Sequence, residues 1–494
     1  MTSFMVMRDR LTFDTRPGEI TLHTMEQHRR PRRRFRMLAA MAVTIAVVGT
    51  EIDPGAGVAE ASSALGSGGE IHTIAPQRVL DTRPGTRIND LHRPGRKQIS
   101  TNPGHRFDVQ LLGHPGLPPA GGSVLGVLAS VTVVDPTQGG FIRAWPTGSP
   151  EPPSSIVNFR PREVVPNKTI LTPGPDGRVS LRMHGGVSGT ADVLIDVFGW
   201  ISSSSHGQQG ARLIPAGPGR IYDSRESRFR GSPIGRNQTI ELQIRGVNSV
   251  SPAINQIVPN SSDVSGVLVN ITAVNATAQS TVTFVSALPE RPRGEPTTSN
   301  LNLTPGQVKA NLALVPIGAD GRIRLFNNSG AVHLVVDVVG YLQPRNPATR
   351  AGRVVPMAEH VRVLDTREAA FGRARLGPGM AEDWSFADVV ASVRSGGTPV
   401  GNQMGFLGNL TATGLRPQHN WFGTLESYLS VYPQPAGAGP PPTISNLNPT
   451  EGLDVPNLAL FRYGTGQQAN RVRVYNFNGE QHYVVDLIAV ILDE

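Results

Sequence analysis

The stretch RVLDTRPG (Arg78–Gly85) decides how the rest of this sequence is interpreted. The same frame returns as RIYDSRES from Arg220 and as RVLDTREA from Arg362, so successive openings lie 142 residues apart. A repeat of this length is close to the usual size of one domain. The chain therefore holds three copies of one unit. The Arg–Asp–Arg stretch is either an active site or a structural part that every copy needs.

Three further motifs follow each opening in a fixed order. A middle segment reads GVLASVTVV, GVLVNITAV or GFLGNLTAT, and a short segment SIVNF, SNLNL or SNLNP comes after it. Twelve residues beyond the serine of the short segment lies an asparagine: Asn167, Asn311 or Asn457. The closing segments VLIDVFGW, HLVVDVVGY and YVVDLIAV each contain one acid: Asp196, Asp337 or Asp486. The ordered set, rather than any single motif, defines a copy.

The middle segment alternates as a β-strand does. In the first copy Val127, Ala129, Val131 and Val133 form an apolar face, whereas the opposite face is mixed. A period of two with β-branched residues is typical of a strand that is buried on one face. Asp-Gly pairs between alternating apolar residues predict hairpin turns in the first two copies.

These patterns predict an all-β protein with three tandem β-sandwich-like domains after an N-terminal signal segment. No copy shows sustained helical periodicity, and β-propellers or β-solenoids need repeats far shorter than 142 residues. Polar stretches between the copies are typical of linkers. The expected boundaries are 1–61 (signal segment), 62–72 (linker), 73–202 (first β-domain), 203–212 (linker), 213–343 (second β-domain), 344–353 (linker) and 354–494 (third β-domain).

An RVLDTR opening, a central NVT-like strand, an SNLN segment and a closing VDVVGY resemble a repeat common in exported proteins of actinobacteria. The resemblance covers nearly the whole chain after residue 72. It implies an extracytoplasmic, β-rich module that is sometimes attached to secreted hydrolases, and it brings no ligand or reaction. The third copy departs from the pattern, because Ala489 and Val490 replace the pairs Gly199-Trp200 and Gly340-Tyr341.

Composition narrows the classes of function. Gly 55 and Pro 42 are high and hydrophobic residues make up 38%, which suits short strands and turns. Cysteine is absent, so disulfides and thiolate metal sites are excluded. The net charge is +8, but the arginines beyond the N-terminus are scattered and no nucleic-acid-binding motif accompanies them. We therefore expect no nucleic-acid partner and no cofactor.

The N-terminus has the composition of a targeting segment. HRRPRRRFR (His28–Arg36) precedes MLAAMAVTIAVV (Met37–Val48), an uncharged run too short to span a bilayer but suited to a signal-peptide core. Ala59-Glu60-Ala61 offers a cleavage site, and Met25 is an alternative start. We expect cleavage near Ala61 and a secreted or cell-surface protein with no stable membrane span. An uncleaved N-terminal anchor is the alternative.

The repeats contain no recognisable catalytic or metal-binding motif. LDTR and YDSR resemble the Asp-Thr/Ser-Gly triplets of aspartic proteases, but arginine replaces the glycine and would depress the carboxyl pKa. The same arginines argue against Asp81 and Asp196 as the acid pair of a glycosidase, in which one pKa must be raised. HExxH, GxSxG and P-loop motifs are absent, and the Asp-Gly pairs lack the alternating acids of a calcium loop. We expect no catalytic, cofactor or metal site.

The repeated charges have a structural interpretation. The first and last strands of a closed domain tend to lie close together, and a buried acid needs a partner. Because arginine binds a carboxylate through two hydrogen bonds, each closing acid should pair with an arginine from its own opening. The structural repeat positions are Arg78, Asp81, Arg83, Asn167 and Asp196; Arg220, Asp223, Arg225, Asn311 and Asp337; and Arg362, Asp365, Arg367, Asn457 and Asp486. Asn270 and Asn409 match glycosylation sequons but lie in predicted strands, so we interpret them as packing positions.

The sequence favours a non-catalytic exported protein that binds envelope glycan or a protein partner; a secreted hydrolase of unrecognised type is the alternative. One loop diverges: TGLRPQHNWFGTL (Thr413–Leu425) places Trp421 and Phe422 beside His419 and Asn420. Aromatic faces beside hydrogen-bonding side chains suit a sugar ring or a protein surface. Alternatively, Trp421 caps the end of the sandwich, because tryptophan is highly buried on average.

Overall fold

The computed structural model describes residues 68–83, 98–121, 123–204, 206–278, 283–292, 294–296, 298–372, 374–395, 398–420, 423–424, 426–437 and 440–493. Of 283–286, 394–395, 398–399, 419–420 and 423–424 only the backbone is described. The expected signal segment lies outside these residues. Within them, no helix has both the length and the apolar character needed to cross a membrane.

Almost every element is a β-strand. The first copy contains β1 (Ile71–Asp81), β2 (Ile99–Ser100), β3 (Phe107–Gln110), β4 (Val124–Val134), β5 (Gly140–Pro146), β6 (Val157–Phe159), β7 (Val164–Leu171), β8 (Arg178–Gly185) and β9 (Thr190–Ser202). The second contains β10 (Ala211–Asp223), β11 (Gln238–Gln243), β12 (Ser249–Val250), β13 (Ala253–Ile254), β14 (Gly266–Val274), β15 (Thr283–Leu288), β16 (Leu301–Leu303), β17 (Lys309–Pro316), β18 (Arg322–Asn327) and β19 (His333–Pro344).

The third copy has the same strand order with small additions. It contains β20 (Val354–Asp365), a 3-10 turn (Ala369–Phe371), β21 (Ala381–Ser385), helix α1 (Ala387–Ser392), β22 (Arg394–Ser395), β23 (Thr398–Pro399), β24 (Gln403–Arg416), β25 (His419–Asn420), β26 (Gly423–Thr424), β27 (Leu429–Pro433), β28 (Val455–Arg462), a 3-10 turn (Gly466–Gln468), β29 (Arg471–Asn476) and β30 (Glu480–Leu492). These strands confirm the all-β fold that the sequence predicts.

Each copy is a sandwich of two antiparallel sheets. The inner sheets have the orders β1-β9-β4-β7, β10-β19-β14-β17 and β20-β30-β24-β28. The outer sheets have the orders β3-β8-β5-β6, β11-β18-β15-β16 and β21-β29-β27. Separate apolar clusters fill the space between the two sheets of each copy. The closing strand always lies between the opening strand and the middle strand, which places the motifs side by side.

A fourth apolar cluster joins all three copies, and we call it the central cluster. It contains Ile71, Leu125, Leu128, Ile170, Ile201, Leu213, Leu268, Leu312, Val339, Leu342, Val354, Leu407, Leu458, Leu460, Ile488, Ala489 and Ile491. The equivalent edge strands β7, β17 and β28 contact one another, so the copies are arranged around a common centre. The inner sheets are therefore covered on both faces.

This arrangement overturns the expectation of a middle strand buried on one face. Leu128, Ser130 and Thr132, on the mixed face of β4, are all buried. Leu128 belongs to the central cluster and is covered by residues of the other copies, which the alternation within one strand does not reveal. The closing strands agree with this, because apart from their acids they carry runs of apolar residues, and strands that are buried on both faces lose their alternation.

All three expected linkers are shorter than the sequence indicates. β1 begins at Ile71 and β10 at Ala211, inside the segments 62–72 and 203–212, and β19 extends to Pro344. Ile71 pairs with Ala211 across the two copies, and Gly69 pairs with Val354 of the third. The strands extend into the expected linkers because the starts of the three opening strands pair with one another through their backbones.

Candidate functional site

The opening arginines of all three copies form the same ion-pair network. The Nε atoms of Arg78, Arg220 and Arg362 donate to Asp196, Asp337 and Asp486 at 2.8, 2.9 and 2.9 Å. In each copy a second guanidinium nitrogen reaches the other carboxylate oxygen, at 3.1, 3.4 and 3.3 Å. The ion pairs predicted from the sequence are therefore present in every copy. They connect the first strand of a sandwich to its last.

The opening acids complete the network. The guanidinium groups of Arg83, Arg225 and Arg367 bind Asp81, Asp223 and Asp365 at 2.7, 2.7 and 2.6 Å. Burial opposes ionisation of these three carboxyls, but the hydrogen bonds and charges of the arginines outweigh it, so their pKa values lie below the usual range. Carboxylates that remain ionised are poor candidates for a general acid. Full burial raises the pKa of Asp337 to about 6, and Arg220 opposes that rise.

The repeated asparagines shape the backbone of the short segments. The side-chain amides of Asn167, Asn311 and Asn457 donate to the carbonyls of Ile156, Asn300 and Asn446 at 2.7, 2.7 and 2.6 Å. Each of these carbonyls belongs to the residue after the motif serine. The asparagine therefore holds the short segment against the inner sheet of its own copy.

The sequon asparagines connect neighbouring copies. Asn409 donates to the carbonyl of Ser155 at 3.0 Å and accepts from Asn167 at 3.1 Å, and Asn270 donates to the carbonyl of Ser445. Both are buried, which agrees with a packing role. The first copy has Ser130 at this position, and its buried hydroxyl has no partner.

A single lysine interrupts the central cluster. Lys168 stands where the other copies have Leu312 and Leu458, as the strand registers show. Its Nζ lies 5.3 Å from the ring centre of Phe198, beside an apolar cavity of about 30 Å³. Burial lowers the lysine pKa to about 8, although the charge of Asp196 opposes this.

One cleft is formed by all three copies together. Its volume is about 580 Å³, and we call it the three-loop cleft. Three equivalent loops between the short segments and the next strands provide most of its lining, namely residues 160–164, 302–308 and 448–453. Leu415, Glu426 and Ser427 complete it. The cleft therefore exists only when the copies are assembled.

The three loops differ where the buried framework repeats. Arg160, Arg162 and Glu163 of the first copy correspond to Thr304, Gly306 and Gln307 of the second and to Thr450, Gly452 and Leu453 of the third. Arg162 has a φ of 62°, in the left-handed region that the two equivalent glycines also adopt. A side chain in that conformation is disfavoured by sterics. The first copy thus has an arginine at a cleft position where the left-handed backbone favours glycine.

Cross-copy bonds fix the charged part of the cleft. The Arg160 guanidinium donates to the carbonyl of Glu451, and the Lys309 Nζ lies 3.7 Å from the Glu163 carboxylate. Burial lowers the pKa of Lys309, and the nearby Glu163 opposes this. The cleft presents cations and anions side by side on loops that are held in place.

The loop singled out in the sequence begins and ends beside this cleft, since Leu415 and Glu426 both line it. Trp421 and Phe422 lie outside the described residues, and so do the side chains of His419 and Asn420. Their binding role remains a prediction. Sequence reasoning did not identify the cleft loops. The short segments before them resemble one another, but the loops carry different residues in each copy, so no repeated motif marks them.

Comparisons with known proteins add little. No protein-family model and no curated protein matches the chain. Among solved structures, the N-terminal CBM22-1-CBM22-2 tandem domain from Paenibacillus barcinonensis Xyn10C is 11% identical, with 56% of this chain and all of that chain covered and a TM-score of 0.15. An archaeal virus protein with a triple jelly roll fold is 7% identical, with coverages of 86% and 91% and a TM-score of 0.16. Similarities this weak support no conclusion about the function of this chain. No group of three or more potential metal-ligating side chains occurs among the described residues.

Proposed function

We propose that the protein is a non-catalytic, exported binding protein of the cell surface or the secreted fraction. Its partner is an envelope glycan or a surface protein, and the three-loop cleft is the binding site. The observation that carries the proposal is the contrast within the repeats. The buried charges are the same in every copy, whereas the cleft loops differ in each.

Two features support a binding role over a catalytic one. The repeated acids are bound by arginine, and the opening acids have pKa values below the usual range. A hydrolase needs a general acid or an activated nucleophile, and neither stands out at the cleft. Arg162 in a left-handed conformation is the kind of disfavoured backbone that tends to occur at functional positions. A secreted hydrolase of another type remains the alternative, and a hydrolase assay on the same glycans tests it.

The test exchanges the loop of one copy for that of another. Residues 62–494 would be applied to peptidoglycan sacculi, to an array of pyranose oligosaccharides and to an extract of surface proteins. The variant Arg160→Thr, Arg162→Gly, Glu163→Gln gives the first loop the residues of the second. Arg106→Thr, with a side chain 54% exposed on another surface, is the control. Loss of binding in the loop variant alone supports the proposal, and equal binding in all three proteins contradicts it.

A further inference from the structure

A second, smaller cleft lies between the second and third copies. Its volume is about 270 Å³, and it is lined by residues of both copies, including Arg225, Glu426, Tyr428, Thr443 and Phe477. It shares Val308, Glu426, Ser427 and Asn448 with the three-loop cleft. The two clefts are therefore neighbouring parts of one surface.

Two aromatic rings, those of Tyr428 and Phe477, line this cleft, and the Tyr475 ring lies next to Tyr428; we call these three residues the aromatic ledge. The rings of Tyr428 and Phe477 stack with centres 4.6 Å apart and planes 10° apart, and the Tyr475 ring lies 6.3 Å from that of Tyr428. Phe477 is 44% exposed. Among the large hydrophobic side chains exposed in the described residues, it is the one aromatic. The exposed part of this ring lies in a cleft, where it is available to pack against a ligand.

Polar groups stand at the edge of the ledge in fixed positions. The Arg225 guanidinium is 48% exposed but is held at 2.7 Å by the buried Asp223. Its remaining N–H groups are donors for a ligand. Glu426 is exposed beside it, and its charge acts on Arg225, so an acceptor accompanies the donor. Thr443 also lines the cleft, and its hydroxyl lies 3.0 Å from that of Ser251.

This combination suits a pyranose ring. One face of a pyranose carries C–H groups that pack on the electron-rich face of an aromatic ring, while its hydroxyls need donors and acceptors at the edge. We infer that the aromatic ledge binds one pyranose residue of a glycan, and that the chain continues into the three-loop cleft. The inference rests on the proposed function and narrows its ligand to a polysaccharide.

The experiment uses residues 62–494 with sacculi, the pyranose oligosaccharide array and the extract of surface proteins as probes. Phe477→Ala should weaken glycan binding by about tenfold, which is the scale of one aromatic contact. Phe477→Tyr keeps a ring and should bind within about twofold of the parent. Met380→Ala removes a side chain that is 58% exposed in the same copy and should change nothing. Phe477→Tyr and Met380→Ala should melt with the parent. Phe477→Ala loses its stack on Tyr428 and should melt slightly lower, so binding is measured well below its melting temperature.

The outcomes separate the inference from the proposed function. If Phe477→Ala binds sugars as the parent does while the loop variant of the first copy does not, the ledge assignment is wrong and the cleft stands. If the parent retains a surface protein but no sugar, the pyranose assignment is wrong and the binding role stands. If the parent retains none of the probes, both are overturned.

Discussion

The ion-pair networks and the three-loop cleft are built from the same repeat, yet they behave in opposite ways. At the networks the three copies place the same four residues in nearly the same geometry, and the closing acids are almost fully buried. At the cleft the three copies place different side chains on equivalent loops. The residues that repeat in every copy therefore hold each sandwich closed. The residues that differ between copies lie on the surface that is available for binding.

Removing one closing acid should have the largest effect. Asp337→Ala leaves the Arg220 guanidinium, which is only 8% exposed, without its main partner. Breaking a buried pair in this way typically costs about 3–5 kcal/mol. Urea denaturation of residues 62–494 measures the loss. Arg225→Ala, which removes a half-exposed arginine of the same network, should cost less, and an equal or smaller loss for Asp337→Ala would contradict the structural role.

Replacing the central lysine should stabilise the protein. Lys168→Leu gives the first copy the residue of the other two and removes a buried cation with a pKa of about 8 instead of the usual 10.5. That depression corresponds to about 3 kcal/mol at pH 7. Because the folded pKa is below the unfolded one, the parent gains stability as pH rises from about 8 to 10.5. The advantage of Lys168→Leu should therefore shrink over this range.

Unfolding free energies at pH 7 and pH 10.5 check this. Leu312→Val is a suitable control, because it alters the same cluster without changing charge. If Lys168→Leu is less stable than the parent at pH 7, the prediction is wrong, and the contacts of the lysine outweigh the cost of its burial.

Weakening a contact between copies should have an intermediate effect. Asn409→Ser gives the third copy the residue that the first copy has at Ser130, and it removes bonds to Ser155 and Asn167. Leaving a buried carbonyl without a donor costs about 1–3 kcal/mol. Thermal unfolding measures it, with the exposed Asn346 changed to serine as the control. If Asn409→Ser melts with the parent, the contact between copies contributes little.

The smallest change in stability is expected at the cleft. Arg162→Gly removes a side chain from a left-handed backbone, which costs a non-glycine residue about 1–2 kcal/mol, but glycine loses more entropy on folding. The two terms oppose each other, so stability should change by less than about 1 kcal/mol. Binding to the glycan or protein partner should fall at the same time. A large loss of stability without loss of binding would assign Arg162 to the framework.

The strands and ion pairs that lie within one copy could be predicted from the sequence. Period-two patterns predicted the strands, and the recurring charges predicted that Asp196 pairs with an arginine of its own opening. In the structure that arginine is Arg78, at 2.8 Å. These contacts repeat three times, so they leave a periodic signal in one sequence. Asn167, Asn311 and Asn457 stood out for the same reason, although their backbone partners did not.

The contacts between copies could be identified from the three-dimensional structure alone. The central cluster, the buried second face of β4, the three-loop cleft and the aromatic ledge all join residues from different copies. Such contacts depend on the complementary shapes of whole surfaces, and each is made by different residues on its two sides. They leave no period in the sequence. Lys168 illustrates the limit: in one strand it is a polar residue beside an asparagine, and only the assembled centre makes it a buried cation among leucines.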